Sequence, residues 1–429
     1  MNNEIIIIGA GAAGLMTALE LARAGKKTLI LEARERIGGR IWPLPPGALG
    51  YNAQSGAEFV HGEARVTKSL IRQAGLTLLP LDGEVWRLQG DQLTNSVGGP
   101  TKDPAFLTHK ERLHQKLFAL TDDVSIAQFL ERHFKEDEYR GLRDWIHKMV
   151  EGYEAADPHR MSTFALREGW LGGEEWQLGK IKEGYGALLH FLESECRKHD
   201  VEIRLTQEVQ TIQADLRGIH VGCLGGYECD AQQVVVTLPL PTLNRIRFHP
   251  ALPEKMTAAS HIGFGQVIKL LLRFHDAWWK HALGQDLGRM MFFHCDGPIP
   301  TWWTQYPDAY PVLTGWLPRA EEFKQSSSNE LLTLAIKSLA DTFHVPEDVL
   351  HTQLRGSRII NWPADPFSQG VYSYPTPEAT EAREVLTAPV HNQIFFAGEA
   401  LSSGKDTATV EGALASGKET AERVSNLSR

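Results

Sequence analysis

The hydrophobic pattern at the start of the chain predicts a strand, a helix and a second strand. Residues 5–8 are four consecutive isoleucines, and a short β-branched run with no polar position is typical of a strand buried on both faces of a parallel sheet. Apolar residues then recur at three- and four-residue intervals up to Gly25, which favours an amphipathic helix with a glycine stop. Residues 28–31 are a threonine followed by three apolar residues, so a second buried strand is expected there.

A glycine motif connects the first strand to the helix. Residues 9–14 match G-x-G-x-x-G; Gly9 permits a tight turn, Gly11 lets the backbone approach a pyrophosphate, and Gly14 lets helix and strand pack closely. Glu32 ends the second strand, where a carboxylate accepts hydrogen bonds from ribose hydroxyls. A lone glycine motif also occurs in turns that bind nothing, but here all five features lie in register. The pattern predicts a dinucleotide site, and the acid argues against NADP.

Composition is that of a globular enzyme and excludes several other classes. The 429 residues are 42% hydrophobic and 23% charged, enough for two sizeable cores and without a disordered bias. The net charge of −9 argues against a nucleic-acid partner. The four cysteines have no metal-binding spacing, which predicts reduced thiols in a cytoplasmic protein and no metal site. Since no apolar run approaches a membrane span and the chain starts almost directly on its first strand, a soluble protein without a signal peptide is expected.

Further along the chain, helical and extended patterns alternate. Residues 151–176 are acidic and predict a solvated loop, with an entrance for amines as the alternative. The aromatic cluster between Trp278 and Thr304 fits either a core or the wall of a pocket. Helices are expected over 66–75, 110–150 and 187–199 and from residue 410, and extended segments over 201–205, 208–213, 219–223, 234–237, 265–274 and 394–398.

Three polar side chains each have two interpretations. Lys269 interrupts an apolar strand and, because burying an unpaired ammonium is costly, is either paired and functional or extended into solvent from an edge strand. His61 is either a ligand contact or a loop histidine bonded to backbone. Arg40 follows two glycines and either reaches phosphate oxygens or lies in a solvated turn.

Five motif blocks occur in the order found in the FAD-dependent amine oxidase family, and the chain resembles that family over its whole length. The blocks are the glycine motif with Glu32-Ala33-Arg34, then Gly38-Gly39-Arg40, then segments 56–62, 361–372 and 394–417. The resemblance implies an α/β fold, in which a Rossmann-type FAD-binding domain is interleaved with an α+β substrate domain made of a mixed sheet and a helical insertion. The FAD-binding domain is assigned residues 1–85, 181–250 and 386–429, and the substrate-binding domain residues 86–180 and 251–385.

The resemblance also implies an FAD cofactor held along its full length without a covalent bond. Val371 occupies the position where monoamine oxidases carry a cysteine linked to the flavin, and valine cannot form that thioether. The residues that match the family's cofactor contacts are Gly9, Gly11, Ala13, Gly14, Glu32, Ala33, Arg34, Gly39, Arg40, Ala57, Glu58, Val209, Gly398, Glu399 and Val410.

Four residues match the family's reaction centre. Lys269 stands where a family lysine holds a water against flavin N5. Trp362 matches the tryptophan beside the isoalloxazine, and Tyr372 matches one wall of the aromatic cage around the substrate nitrogen. His61 stands where polyamine oxidases carry a histidine that contacts substrate. The resemblance therefore assigns the catalytic roles to these side chains.

Two departures from the family bear on the substrate. Phe59 occupies the place of the arginine that clamps a carboxylate in L-amino-acid oxidases, and such a clamp needs a bidentate cation. Thr409 occupies the place of the second cage tyrosine. The first departure argues against amino-acid substrates, and the second against a choice of substrate like that of monoamine oxidases.

The implied reaction is oxidation of an amine at the C–H bond next to nitrogen. A hydride equivalent passes to the flavin, dioxygen reoxidises it with formation of hydrogen peroxide, and the imine hydrolyses to an aldehyde or ketone. The expected partners are a small amine and dioxygen, with no nucleic acid and no stable membrane insertion; no oligomeric state is predicted. Two alternatives stay open: an FAD-dependent desaturase or dehydrogenase acting on carbon, and a catalytically silent flavoprotein that serves as a binding module.

Overall fold

The four isoleucines of the first strand divide between two hydrophobic cores. The structure, a computed structural model, describes residues 4–45, 47–95, 104–171 and 177–427. Strand β1 (Ile5–Ile8) lies in the middle of a five-stranded parallel sheet. Ile5 and Ile7 pack into one core, whereas Ile6 and Ile8 pack into the other. Burial on both faces explains why the run contains no polar residue.

The parallel sheet has the strand order β21-β12-β1-β2-β8. Every neighbouring pair is parallel, so all the carboxyl ends meet at one edge. The other four strands of this sheet are β2 (Thr28–Leu31), β8 (Glu202–Arg204), β12 (Gln233–Val236) and β21 (Ile394–Phe396).

Helices cover one face of this sheet and a second sheet covers the other. The helices are α1 (Ala12–Arg23), α7 (Tyr185–Lys198) and α12 (Val410–Leu427), which share a core with Ile5 and Ile7. The covering sheet contains β9 (Val209–Asp215), β10 (Gly218–Cys223), β11 (Glu228–Ala231) and β13 (Arg247–His249). Strand β11 and strand β13 were not among the expected extended segments.

A seven-stranded mixed sheet forms the second half of the molecule, in the order β19-β15-β18-β17-β16-β5-β6. Its strands are β5 (Glu84–Gln89), β6 (Gln92–Asn95), β15 (Val267–Phe274), β16 (Met290–His294), β17 (Thr301–Trp303), β18 (Val312–Pro318) and β19 (Leu354–Asn361). Helices α9 (Ser328–Phe343) and α10 (Glu347–Gln353) pack on one face.

A helical insertion and several short elements complete the fold. The insertion has a core of its own and consists of α3 (Pro104–Phe118), α4 (Ile126–His133), α5 (Arg140–Gly152) and α6 (Thr163–Leu171). A three-stranded sheet holds β3 (Phe59–His61), β7 (Leu178–Ile181) and β4 (Leu78–Pro80), and a two-stranded one holds β14 (Gly263–Phe264) and β20 (Ser373–Tyr374). The remaining helices are α2 (Arg65–Gln73), α8 (Pro253–His261) and α11 (Ala379–Thr387).

The predicted fold class is confirmed, and the predicted domain bounds stay a prediction. A doubly covered parallel sheet is interleaved along the chain with a mixed sheet and a helical insertion. The predicted domain boundaries after residues 85 and 180 fall inside β5 and β7. Because β5 pairs with β16, the whole of β5 belongs with the mixed sheet.

A buried carboxylate ties the last helix to α2. Glu411, at the start of α12, accepts hydrogen bonds from the backbone N–H groups of Val66 and Thr67 at 2.8 and 2.7 Å. It also accepts from the Thr67 hydroxyl at 2.8 Å. Helix α2 follows Ala64, whose side chain provides no cap. Glu411 therefore satisfies N-terminal donors that the local sequence leaves unpaired.

We expect Glu411→Ala to lower the free energy of unfolding by about 2 kcal/mol, because it leaves buried N–H groups of α2 without an acceptor. Urea denaturation measures this change. Glu419→Ala is the matched control, since Glu419 lies exposed on the same helix and its loss should change stability by no more than about 0.5 kcal/mol. Equal effects of the two substitutions would contradict the capping role.

Candidate active site

One elongated cavity of about 640 Å³ begins at the carboxyl edge of the parallel sheet and reaches the mixed sheet. It is lined by every residue predicted above to contact cofactor or substrate, except Gly14. Ligands of open parallel sheets bind at this edge, and the volume is in the range of small-molecule sites. The structure thus brings residues from five distant motif blocks to one place.

The glycine turn at one end of the cavity has the backbone geometry that a phosphate site requires. Gly9 has φ +104°, which L side chains rarely adopt. A Cβ on Gly14 would lie 2.0 Å from the Gly9 carbonyl oxygen, whereas a Cβ on Gly11 would meet nothing within 4 Å. Helix α1 begins directly after Gly11, so its N-terminal amides are directed to the cavity.

Glu32 closes this end of the cavity with a buried carboxylate. Its oxygens accept backbone hydrogen bonds from Ala10 at 2.8 Å and Arg34 at 2.9 Å. Burial raises the pKa of Glu32, and the two backbone donors oppose that rise. Each oxygen accepts one bond here and has a further lone pair. The carboxylate can therefore hold the turn and accept a ribose hydroxyl at once.

The two predicted cofactor arginines are engaged by protein acceptors. Arg34 donates to both carboxylate oxygens of Asp365, at 3.0 and 2.6 Å, and to the Ser368 hydroxyl. Arg40 donates to Glu399 at 2.7 Å and to the Val371 carbonyl at 3.0 Å. Both guanidiniums join the glycine loops to the returning segments of the chain. The phosphate contact of Arg40 stays a prediction.

Lys269 lies on β15, which pairs with β18 on one side and β19 on the other and is therefore not an edge strand of the mixed sheet. Its ammonium donates to the carbonyls of Gln54 and Gly56, at 2.8 and 3.1 Å, and to Glu58 at 3.0 Å. The side chain is 1% exposed. Three acceptors take the three donors of an ammonium, so a water at Lys269 has to share one of them. The alternative of a lysine extended into solvent is wrong.

A second buried lysine, Lys180, completes this group and was missed from the sequence. It donates to Gln305 at 2.7 Å and lies 3.9 Å from Glu58. Glu58 also accepts from the Trp303 indole at 3.2 Å. The three charged side chains come from β7, β15 and the segment before β3. No local motif surrounds Lys180, because it becomes buried only when β7 pairs with β3 and β4.

The two ammoniums determine the charge of Glu58. Burial by itself raises the pKa of this carboxyl, but Lys269, Lys180 and the hydrogen bonds from Lys269 and Trp303 outweigh burial and hold the pKa below its ordinary value. Burial lowers the pKa of Lys269, and Glu58 opposes that change. Glu58 is therefore an anion between two cations.

Aromatic rings line the other end of the cavity. The rings of Tyr372 and Trp316 lie 6.2 Å apart with their planes 15° from parallel, and Trp316 lies 5.9 Å from Trp303. Phe59 contacts Phe292 and Trp303 at 5.6 and 6.0 Å. Except for Phe59 and Tyr372, these rings come from the mixed sheet. The predicted tryptophan, Trp362, also lines the cavity.

The two interpretations of the aromatic cluster are both correct, for different residues. Trp279 and Trp302 pack in the core behind the mixed sheet, whereas Trp303 and Phe292 face the cavity. Successive residues of a strand point to opposite faces, so Trp302 and Trp303 separate. The alternation of side chains along a strand could have separated these two tryptophans. Which of them faces the cavity depends on how β16, β17 and β18 pair, and no local sequence pattern specifies that pairing.

His61 and Tyr372 are both uncharged at neutral pH. Burial lowers the pKa of His61 to about 4, and burial followed by the Glu154 carboxylate raises the pKa of Tyr372 well above 10. The Tyr372 hydroxyl donates to the Tyr153 carbonyl at 3.0 Å. Glu154 lines the cavity, so part of the predicted acidic entrance reaches the site; residues 172–176 of that segment lie outside the described residues.

The family model for flavin-containing amine oxidoreductases matches residues 12–425. The chain belongs to this family. The predicted enzyme class, a flavin-containing amine oxidase, and the predicted FAD cofactor are confirmed.

Curated relatives and solved structures agree with this membership. Probable polyamine oxidase 4 of Arabidopsis thaliana is 26% identical over 93% of this chain and 82% of its own length. Lysine-specific histone demethylase 2 of Homo sapiens is 26% identical over 99% of this chain, which spans 53% of the demethylase. The solved structures include putrescine oxidase with bound putrescine (TM-score 0.83, 19% identity) and cyclohexylamine oxidase from Brevibacterium oxydans IH-35A (TM-score 0.81, 21% identity), both covering 100% of each chain. At these identities the structures show the fold.

The cavity fits FAD without a covalent link. The open backbone at Gly11 and the buried Glu32 carboxylate suit the dinucleotide end. Val371 lines the opposite end, and no cysteine occurs among the described residues that line the cavity, so no thioether to the flavin can form. In the described part of the chain, none of the helices combines the length and the apolarity that a membrane crossing requires.

We expect Glu58→Gln to destabilise the protein more than Lys269→Met. Removing the carboxylate leaves two buried ammoniums without a counter-ion, which costs about 3–5 kcal/mol. Removing Lys269 leaves Glu58 paired with Lys180. Urea unfolding compares the two variants, with the exposed Glu381→Gln as a control. A Lys269→Met protein as unstable as Glu58→Gln would show that Lys180 does not share the carboxylate.

We expect His61→Phe to weaken the pH dependence of stability between pH 6.5 and 4. The ordinary histidine pKa is about 6.5, and in the folded protein that of His61 is lowered to about 4. As the pH falls through this window the unfolded chain gains a proton that the folded chain does not, so stability falls by at most about 1.4 kcal/mol per pH unit.

Unfolding in urea at pH 7 and pH 5 measures that slope. His190→Phe is the control, because the His190 side chain is 77% exposed. If the wild-type and His61→Phe proteins lose stability in parallel on acidification, His61 does not titrate as its burial requires.

Proposed function

We propose that this protein oxidises an amine at the carbon next to nitrogen, with dioxygen as the final electron acceptor. For a primary amine, one molecule each of amine, dioxygen and water yields one aldehyde, one ammonia and one hydrogen peroxide. The observation that carries the proposal is a cavity with dinucleotide geometry at one end and an aromatic wall at the other, in a chain of the amine oxidoreductase family. The bound flavin supplies the two-electron acceptor.

The protein's own residues bind and orient the amine in this proposal. The nearly parallel rings of Tyr372 and Trp316 form an electron-rich wall, and such a wall attracts an ammonium or amine nitrogen through the ring faces. Because its pKa is lowered, His61 adds no positive charge that would repel a cationic substrate. The apolar rings around Phe59 keep water away from the reacting carbon.

The positions of Phe59 and Glu154 argue for amines over amino acids. Phe59 contacts Phe292 and Trp303 in the cavity wall, so an α-carboxylate there meets apolar rings and no guanidinium. Glu154 lines the same cavity and would repel a carboxylate while attracting a cation. Family membership favours amine oxidation over a carbon desaturase or a silent binding module. A cytoplasmic location stays a prediction.

The test is anaerobic mixing of the FAD-bound protein with putrescine, spermidine, cyclohexylamine, benzylamine and L-leucine, followed by flavin absorbance. We expect at least one amine to bleach the flavin and L-leucine to react at least about 100-fold more slowly, which is about 2.7 kcal/mol of lost transition-state binding.

Admission of dioxygen to the reduced protein should restore the absorbance and form hydrogen peroxide equimolar with the amine consumed. A panel in which no amine bleaches the flavin would overturn the proposed function. A reduced flavin that dioxygen does not reoxidise would overturn dioxygen as the electron acceptor, and reoxidation without peroxide would overturn the proposed stoichiometry.

A further inference from the structure

The buried group around Glu58 does not sum to zero charge. Lys269, Glu58 and Lys180 are 1%, 7% and 8% exposed, and two cations with one anion leave a net charge of +1. Lys269 and Glu58 already form a hydrogen-bonded pair at 3.0 Å. Burying an uncompensated charge is costly. The second lysine, Lys180, is therefore a candidate for a functional role.

Lys180 is held at the group without being neutralised. Its ammonium lies near Oε1 of Glu58, whereas Lys269 and Trp303 use Oε2. The stronger contact of Lys180 is with the neutral amide of Gln305 at 2.7 Å, and the Tyr51 ring lies 5.9 Å away. An amide oxygen and an aromatic face solvate a cation but carry no net charge.

No further carboxylate compensates the group among the described residues. Among them, Glu58 is the only carboxylate that forms an ion pair with the ammonium of Lys180 or of Lys269. Glu58 and Lys269 line the cavity, whereas Lys180 lies behind them and does not. Lys180 can therefore influence a bound molecule through its electric field and not through contact. That field is strong because the surroundings are poorly solvated.

We propose that Lys180 acts on the bound flavin without touching it: its surplus positive charge makes the flavin in the neighbouring cavity easier to reduce. Uptake of two electrons and one proton makes a flavin one unit more negative, and a fixed cation stabilises that charge without reorganisation. The inference rests on the proposed function, and it takes the reacting flavin ring to lie at the Lys269 end of the cavity, as the family resemblance of Lys269 implies. Glu58 partly screens the field, so removing Glu58 acts in the opposite direction.

The decisive measurement is the midpoint potential of the bound flavin, determined by equilibration with reference dyes. Lys180→Met and Lys180→Gln remove the surplus charge, and each should lower the equilibrium constant for two-electron reduction about tenfold, equal to about 30 mV. Lys180→Arg keeps the charge and should stay within threefold of wild type. Lys182→Met is the matched control, since Lys182 is exposed two residues away on the same segment.

Glu58→Gln separates an electrostatic role from a structural one. This substitution raises the net charge of the group, so the flavin midpoint potential should rise. General damage to the site would instead shift the potentials of Glu58→Gln and Lys180→Met in the same direction. Potentials of Lys180→Met and Lys180→Gln within threefold of wild type, in proteins that retain FAD, would overturn the proposal. If Lys180→Met does not retain FAD, Lys180→Gln decides, because its amide still pairs with Gln305.

The experiment is independent of the amine substrate. Dye equilibration needs no amine, so a wild-type flavin that no amine reduces would contradict the proposed function and leave the potentials measurable. Conversely, rapid amine oxidation with unchanged potentials in the Lys180 variants would overturn only the role of Lys180.

Discussion

The fold depends on the burial of β1 on both faces. Four isoleucines in a row leave no face for water, so one core must form on each side of the strand. The first 31 residues supply one helix and one neighbouring strand; the remaining cover comes from residues 37–78, 181–262 and 379–424. The chain must therefore leave the parallel sheet and return to it twice. This requirement produces the interleaving of the two halves and brings distant motif blocks to the sheet's carboxyl edge.

The same returns create the electrostatic centre of the site. Glu58 precedes β3, Lys180 lies on β7, and Lys269 lies on β15, so the group forms only where the small three-stranded sheet meets the mixed sheet. Buried ions contribute little net stability, but breaking them apart is costly. Such a group constrains how the two halves fit together. It also leaves a positive field at the end of the cavity where the aromatic rings converge.

Much of the dinucleotide end could be predicted because its geometry is local. Gly9, Gly11 and Gly14 act within one turn, and Glu32 accepts from Ala10 and Arg34 across two adjacent strands. The substrate end could be predicted only through family resemblance. Trp316 stands opposite Lys269 because β15 and β18 pair in one antiparallel register, and a shift of one residue would send either side chain to the other face.

By itself the sequence determined the elements whose cause is short-range: the buried strand, the glycine turn, the helix after it and the acid at residue 32. Together with the family resemblance it also limited how the cofactor is held, because a valine at position 371 cannot form a thioether. Only the tertiary structure decided which aromatic side chains face the cavity and that Lys180 joins Lys269 at Glu58. The physical reason is that the face to which a strand residue points, and the partner of a buried charge, depend on residues far along the chain. The neighbouring residues in the sequence do not reveal either of them.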